Sequence, residues 1–170
     1  MNLRPLKLND APLMLEWMHD PSVVEGLQVD FMSKTLEDCE NFINASLTDD
    51  KNLHLAITDD SDEYQGTVSL KHIEDGSAEF AITIRKSAMG KGISKDAMKA
   101  IISKGLDELG LSSIYWCVSP DNARAVRFYD KNGYQRIPAD KLVIAGDYTE
   151  EQKKKYFWYV VNKKEQDVRV

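Results

Sequence analysis

The sequence predicts a mixed α/β fold in which a mostly antiparallel sheet carries one splayed parallel strand pair and is flanked by about four helices. Three observations carry this expectation. Apolar runs of strand length interleave with helical periodicities along the chain, an Asp75-Gly76 pair joins two such runs as a tight hairpin, and Ala78 to Gly133 reads strand, glycine-bearing turn, helix, strand, helix. Hairpins make antiparallel neighbours. A strand-helix-strand crossover makes parallel ones, and a ligand can enter where parallel strands diverge.

Leu3, Leu6 and Leu8 mark a short first strand, and Asn9 can cap a helix whose apolar positions are Leu13, Met14, Trp17 and Met18. Asp20-Pro21 ends that helix, and residues 22–34, which carry no clear period, read as a loop or broken helical turns. Thr35 caps a second helix with support from Asp38, and Leu36, Cys39, Phe42 and Ile43 share its face. Leu53, Leu55 and Ile57 alternate with Asn52, His54 and Ala56, the pattern of a half-buried strand. After a polar turn at 59–65, the strands 66–73 and 78–84 flank the Asp-Gly hairpin, so three strands in series meander antiparallel. The next helix, from Ser94 to Leu109, shows a broad stripe of Ala97, Met98, Ile101, Ile102, Gly105 and Leu106, and Gly110 stops it. Ser113 to Val118 is rich in β-formers. The helix from Asp121 buries Ala125, Val126 and Tyr129 and closes at Asn132-Gly133. Tyr134 to Ile137 and Tyr156 to Asn162 complete the sheet across a charged segment that contains Gly146.

With 170 residues, 42% of them hydrophobic, the chain suits a single domain over 1–170. Its net charge of -6 argues against a general nucleic-acid binder, because such affinity comes mainly from lysine and arginine on phosphates. Cys39 and Cys117 are far apart and read as reduced core thiols, and His19, His54 and His72 are scattered, so no metal site is expected. No membrane-length apolar run is present, and the expected location is the cytoplasm without membrane attachment.

The most informative feature is the turn Met89-Gly90-Lys91-Gly92-Ile93-Ser94, which enters a helix directly after a strand. Free amides at a helix start, uncrowded by side chains, form a ready phosphate site. A nucleotide-hydrolysing P-loop is a poor reading, since Gly-Lys-Gly lacks the required Gly-Lys-Ser/Thr ending. On the strand before the turn, Glu79 points away from Phe80, Ile82 and Ile84 and is a candidate base, against the alternative of a solvated strand residue; His72 is a poorer one. Cys117 lacks a histidine signature and reads as inert.

The central Gly92 of this turn and the run Asn122-Ala-Arg-Ala-Val-Arg-Phe128-Tyr129-Asp-Lys-Asn-Gly133-Tyr134 together resemble the GCN5-related N-acetyltransferase superfamily, in particular its ribosomal-protein and amino-sugar acetyltransferase-like branches. Met89 and Ser94 depart from the usual Arg/Gln-x-x-Gly-x-Gly/Ala turn, while the second motif differs only at its last aromatic. The resemblance implies acetyl-coenzyme A as cosubstrate and an amine as acceptor. It further implies that the backbone of Ile82, Thr83 and Ile84 pairs with the pantetheine arm, and that Met89, Gly90, Lys91, Gly92, Ile93 and Ser94 hold the pyrophosphate. Asn122 contacts the cofactor arm or caps its helix, and Tyr129 protonates the leaving thiolate. Within these branches the acceptor is a small-molecule amine such as an amino sugar, or a protein N-terminus, and a homodimer is a common assembly. The acceptor surface is expected from 19–34 and 138–155. A noncatalytic acyl-coenzyme A-binding module remains the alternative of a different class.

Overall fold

The computed structural model describes residues 1–27 and 29–163. Seven strands, β1 (Asn2–Pro5), β2 (Leu53–Thr58), β3 (Tyr64–Glu74), β4 (Ser77–Ile84), β5 (Ser113–Val118), β6 (Gln135–Arg136) and β7 (Phe157–Asn162), form one sheet in the spatial order β1-β2-β3-β4-β5-β7-β6. Every neighbouring pair is antiparallel except β4 and β5. The hairpin between β3 and β4 turns through Asp75 and Gly76 at φ 51° and 76°, the left-handed pair that a two-residue hairpin requires.

The parallel pair is short. β4 and β5 are joined only at Ser77–Ser113, Ala78–Ile114 and Glu79–Tyr115. Beyond Glu79, β4 stays on β3 through the Ile84–Gly66 register, while β5 stays on β7 through Val118–Phe157. Each strand is thus held by its outer neighbour, and the sheet forks at a fixed point.

Helices cover both faces. On one, α4 (Ile93–Ser103), continued by a π-helical turn at Lys104–Glu108, and α5 (Ala123–Lys131) pack on the apolar side of β2 to β5. There Leu55, Leu70, Phe80, Ile101, Leu106, Trp116 and Tyr159 form the main core. On the other, α1 (Ala11–Met18), α2 (Pro21–Val24) and α3 (Leu36–Ser46) cover one end through Met14, Trp17, Ile43 and Tyr64. The segment from Ile137 to Tyr156, which holds the short α6 (Glu150–Lys155), covers the opposite end through Leu142, Ile144, Tyr148 and Trp158. The middle of this second face, around Glu79, lies between the two coverings.

Several expectations are corrected. The described residues form six α-helices rather than about four, because 21–24 and 150–155 each make a short helix within segments read as loop. Helix α1 is preceded by Asp10 rather than capped by Asn9: residues 8–10 make a 3-10 turn, and the Asp10 carboxylate accepts from the Lys7 amide at 2.8 Å. Arg4 then clamps that buried carboxylate with two 2.8 Å bonds. The first strand stops at Pro5, leaving Leu6 in the α1–α3 core and Leu8 half exposed. Strand β2 is covered on both faces from Leu55 to Thr58, not half-buried. Its alternation separates two different cores, Leu55 and Ile57 facing α4 and Ala56 facing α1 and α3. Of the four apolar positions on α3, only Cys39 and Ile43 are buried, while Leu36 and Phe42 remain exposed. The Thr35–Asp38 capping box forms as read, with Asp38 donating its amide to Thr35 Oγ1 at 3.2 Å.

Candidate active site

The fork exposes backbone. The Arg85 amide donates to the Gln65 carbonyl at 2.8 Å, which fixes the alternation of the ladder between β3 and β4. In an antiparallel ladder successive residues turn their amide and carbonyl to opposite edges. Thr83 therefore directs its backbone groups to β3, whereas Ile82 and Ile84 direct theirs into the gap that β5 has left. Of the three strand residues expected to face an extended ligand, Ile82 and Ile84 turn their backbone groups into the gap, and Thr83 turns its own to β3.

At the open end of the gap stands the glycine turn. Gly90 and Gly92 both adopt φ 78°, a conformation that side chains disfavour, and among the described residues no atom lies within 4 Å of where a Cβ would stand at either. Gly92 is the N-cap of α4, and the first amide to donate back into the helix is that of Asp96, to the Gly92 carbonyl at 3.2 Å. The amides of Ile93, Ser94 and Lys95 thus have no partner in the helix. Lys91 is exposed, and Met89 is half-buried. The Met89 sulfur contacts the Arg124 guanidinium at 3.1 Å, tying the turn to the start of α5. Arg124 lies within the Asn122-to-Tyr129 run, yet nothing in the sequence marks it, because its spacing from Met89 offers no signal. Asn122 caps α5, accepting from the Ala125 amide at 3.2 Å.

Tyr129 stands on the α5 side of the fork, its ring packed on Trp116 and Tyr159 at 5.4 and 5.1 Å. Burial raises its pKa well above that of a free tyrosine, with the neighbouring Tyr159, Cys117 and Tyr134 adding to the effect. The phenol therefore keeps its proton, and its hydroxyl makes no side-chain hydrogen bond among the described residues. Beside it, Trp116 Nε1 is a buried donor without a partner among them. A strand edge, free helix-start amides and an unengaged phenol line one path. These residues fit a long, amide-bearing cofactor with phosphates at one end and a sulfur at the other.

Glu79 occupies the opposite face at the apex of the fork. It is 2% exposed, which rules out the solvated strand residue. The Tyr148 hydroxyl donates to its carboxylate, lying 3.0 and 3.1 Å from the two oxygens, and Lys71, its cross-strand neighbour on β3, places Nζ at 3.7 Å. Cys117 and Tyr115 on β5 complete the surroundings. Burial pushes the Cys117 thiol up to about 11, so at neutral pH it is neither a thiolate nor a nucleophile. Tyr115 accepts from the Ala145 amide at 3.1 Å, and Tyr148 packs edge-on against Trp158 at 5.2 Å, so two tyrosines and a tryptophan pin the 144–148 segment to the sheet. His72 is exposed, at φ 53°, with its ring beside Gly146 rather than Glu79. Tyr148 is invisible to sequence reading, since it belongs to a charged loop and meets Glu79 across 69 residues. Among the described residues no cluster of His, Cys, Asp or Glu could hold a metal ion, and no helix is long and apolar enough to cross a membrane.

An exposed strand edge leading to an anion-binding helix start on one face, and a buried carboxylate on the other, define a class of transferase that moves an acyl group from a phosphorylated thioester to an amine. A family model for the acetyltransferase (GNAT) domain matches residues 1–135, and the chain belongs to that family as an acetyl-coenzyme A-dependent N-acetyltransferase. Among curated relatives, spermidine N(1)-acetyltransferase of Vibrio cholerae is 24% identical over 128 residues, covering 74% of this chain and 68% of that protein. The Escherichia coli spermidine N(1)-acetyltransferase is 28% identical over 133 residues, covering 74% and 62%. Among solved structures, spermidine N-acetyltransferase from Vibrio cholerae in complex with CoA and spermine aligns with TM-score 0.78 at 19% identity, covering 96% of this chain and 95% of that one. A dodecameric structure of the Vibrio cholerae enzyme aligns with TM-score 0.74 at 20% identity, covering 99% and 96%. These likenesses give no support to the amino-sugar branch.

Proposed function

We propose that this chain acetylates a primary amine of a polyamine, a small aliphatic chain with several cationic nitrogens. The observation that carries the reading is Glu79: a carboxylate buried at the apex of the fork, across the sheet from Tyr129, whose partners among the described residues are one hydroxyl and one more distant ammonium. A site so arranged favours a cationic acceptor over a neutral one. That the curated relatives are spermidine acetyltransferases supports the polyamine within that class.

Acetyl-coenzyme A, when bound, supplies an acetyl thioester open to attack by a neutral amine. The backbone of Ile82 and Ile84 holds the cofactor arm as an added strand, and an Ile84 amide facing the gap stabilises charge on the carbonyl oxygen. The amides from Gly90 to Ser94 hold the phosphates, with Met89 shaping the turn, Lys91 adding a mobile charge and Arg124 a second one held close by Met89. Asn122 fixes the start of α5 and thereby the reach of Tyr129, which donates a proton to the departing thiolate. Glu79 accepts the proton that the acceptor ammonium must lose. The described residues act as one catalytic domain in the cytoplasm, assembled into oligomers as the dodecameric neighbour is.

The test is thiol release from acetyl-coenzyme A across an amine panel of spermidine, spermine, glucosamine and a peptide with a free N-terminus. Polyamines should give the highest kcat/KM. Turnover of glucosamine or the peptide alone would move the acceptor to another class, and tight cofactor binding without turnover of any amine would favour the noncatalytic module.

A further inference from the structure

Glu79 is poorly placed to touch a substrate. With 2% of its surface exposed, it lies beneath the Tyr148 hydroxyl, and Tyr148 itself is only partly buried. The ring is fixed by Trp158 of β7 at 5.2 Å and by Tyr156 at 6.4 Å. Its hydroxyl lies over the fork, in contact range of Glu79 on β4 and interacting with Cys117 on β5. The carboxylate is also under-supplied. It can accept roughly four hydrogen bonds, but among the described residues a single phenol proton serves both oxygens, and Lys71 at 3.7 Å is beyond a good hydrogen bond.

We propose that Tyr148 relays the acceptor's proton to Glu79, a reading that rests on the N-acetyltransferase function above. A phenol oxygen that donates its own hydrogen to a carboxylate still has a lone pair to accept from an ammonium. As the acceptor ammonium N–H bond breaks, its proton joins the Tyr148 oxygen while the Tyr148 proton passes to Glu79. The ammonium becomes a neutral amine, the carboxylate becomes a carboxylic acid, and Tyr148 ends as a phenol again, so charge and protons balance. After the product leaves, the Glu79 proton returns to the Tyr148 oxygen while the Tyr148 proton passes to solvent, which restores the carboxylate and the phenol for the next cycle. Burial raises the Tyr148 pKa, with the neighbouring Cys117 and Glu79 adding to the effect, so the residue serves as a conduit in its phenol form and not as a resting phenolate. The other ionisable groups facing the pair are Lys71 from β3 and Tyr115 and Cys117 from β5, with His72 at the edge of the 144–148 segment. Neither Lys71 nor Cys117 competes as acceptor, because an ammonium has no lone pair to offer and the raised Cys117 thiol keeps its proton through the neutral range.

Tyr148→Phe keeps the ring contacts and removes the relay. With the best amine of the panel, kcat at pH 7 should fall by roughly 10²-fold, the KM for acetyl-coenzyme A should stay within about twofold, and the loss should shrink as pH rises towards 10, where free amine is abundant. Tyr148→Phe combined with Glu79→Gln should be no slower than either alone, because both cut one path. Tyr148→His, which keeps a donor and an acceptor on a ring, should recover part of the neutral-pH rate and keeps the question open to measurement if the phenylalanine variant fails to fold. A pH-independent loss, or multiplicative losses in the double variant, would overturn the relay while leaving the enzyme an acetyltransferase. No turnover of any amine by the unaltered protein would remove both.

Discussion

Replacing Gly92 separates two effects that a single variant confounds. The residue sits at φ 78° with no described atom within 4 Å of where a Cβ would stand, so alanine there meets no steric wall. Its cost is the left-handed backbone alone, about 1 kcal/mol. Gly92→Ala should therefore lower unfolding stability by about that amount and weaken acetyl-coenzyme A binding severalfold at most. Gly92→Glu carries the same strain and adds a carboxylate beside the proposed phosphate site. Two like charges about 5 Å apart at an effective dielectric near 20 repel by about 3 kcal/mol, which is roughly 10²-fold in Kd. Calorimetric titration of both folded variants, repeated at low and high salt, measures the difference between them. Screening should narrow it. If the glutamate variant binds as tightly as the alanine variant, the phosphates do not lie at this turn, and the assignment of Gly90 to Ser94 falls with it.

Other expectations follow from the same geometry. Tyr129→Phe removes an unengaged hydroxyl and keeps the ring on Trp116, so kcat should fall roughly 10²-fold with little change in cofactor affinity; full activity in steady-state assays would reassign the proton donor. Cys117, with its thiol pushed up to about 11 from an ordinary 9, should resist iodoacetamide in the folded protein at pH 8 and react promptly in urea. A folded-state value above the unfolded one stabilises below pH 9, and that contribution is lost as pH climbs towards 11, so Cys117→Ser should flatten the alkaline fall in thermal stability. Arg4→Met strands the buried Asp10 carboxylate without its two 2.8 Å bonds, and should cost about 3 kcal/mol in urea unfolding while leaving the fork intact; a loss under about 1 kcal/mol would show that the Lys7 amide alone suffices for Asp10.

What the sequence displays and what it conceals divide along a physical line. Local chemistry is legible: the Thr35–Asp38 cap, the Asp75-Gly76 hairpin, the strand from Ser113 to Val118 and the glycine turn all depend on residues a few positions apart. So is the alternation that sets Glu79 opposite Phe80. Distant encounters are not. Nothing near Glu79 in sequence announces Tyr148, and nothing near Asp10 favours it over Asn9 until Arg4 folds across. Strand β2 shows why periodicity alone misleads at the centre of a sheet: alternation of apolar with small or polar residues reads as one wet face, yet two helical layers bury both. The segment 138–155, charged and Gly-containing, reads only as acceptor surface; its apolar residues Leu142, Ile144 and Tyr148 are too widely spaced to register as an element, but each finds the same patch around Trp158.

Strand β4 uses three of its directions at once, and the proton traffic divides accordingly. Glu79 faces the 144–148 segment, Phe80 faces the α5 side, and the backbone of Ile82 and Ile84 points along the sheet into the gap. A proton leaving the acceptor is received on one face, and the proton given to the thiolate comes from Tyr129 on the other. The sheet between them is packed with Phe80 and Trp116, 5.4 Å apart. The proposed acid and base stand on opposite faces of that packing, and each exchanges its proton from its own side, Glu79 by way of the Tyr148 hydroxyl. In that arrangement Tyr129→Phe should lower the rate by a similar factor at neutral and at alkaline pH, unlike Tyr148→Phe, whose loss shrinks as free amine becomes abundant. A loss in the Tyr129 variant that shrinks as pH rises would mean that the two faces share one proton path, and the division of labour along β4 would have to be redrawn.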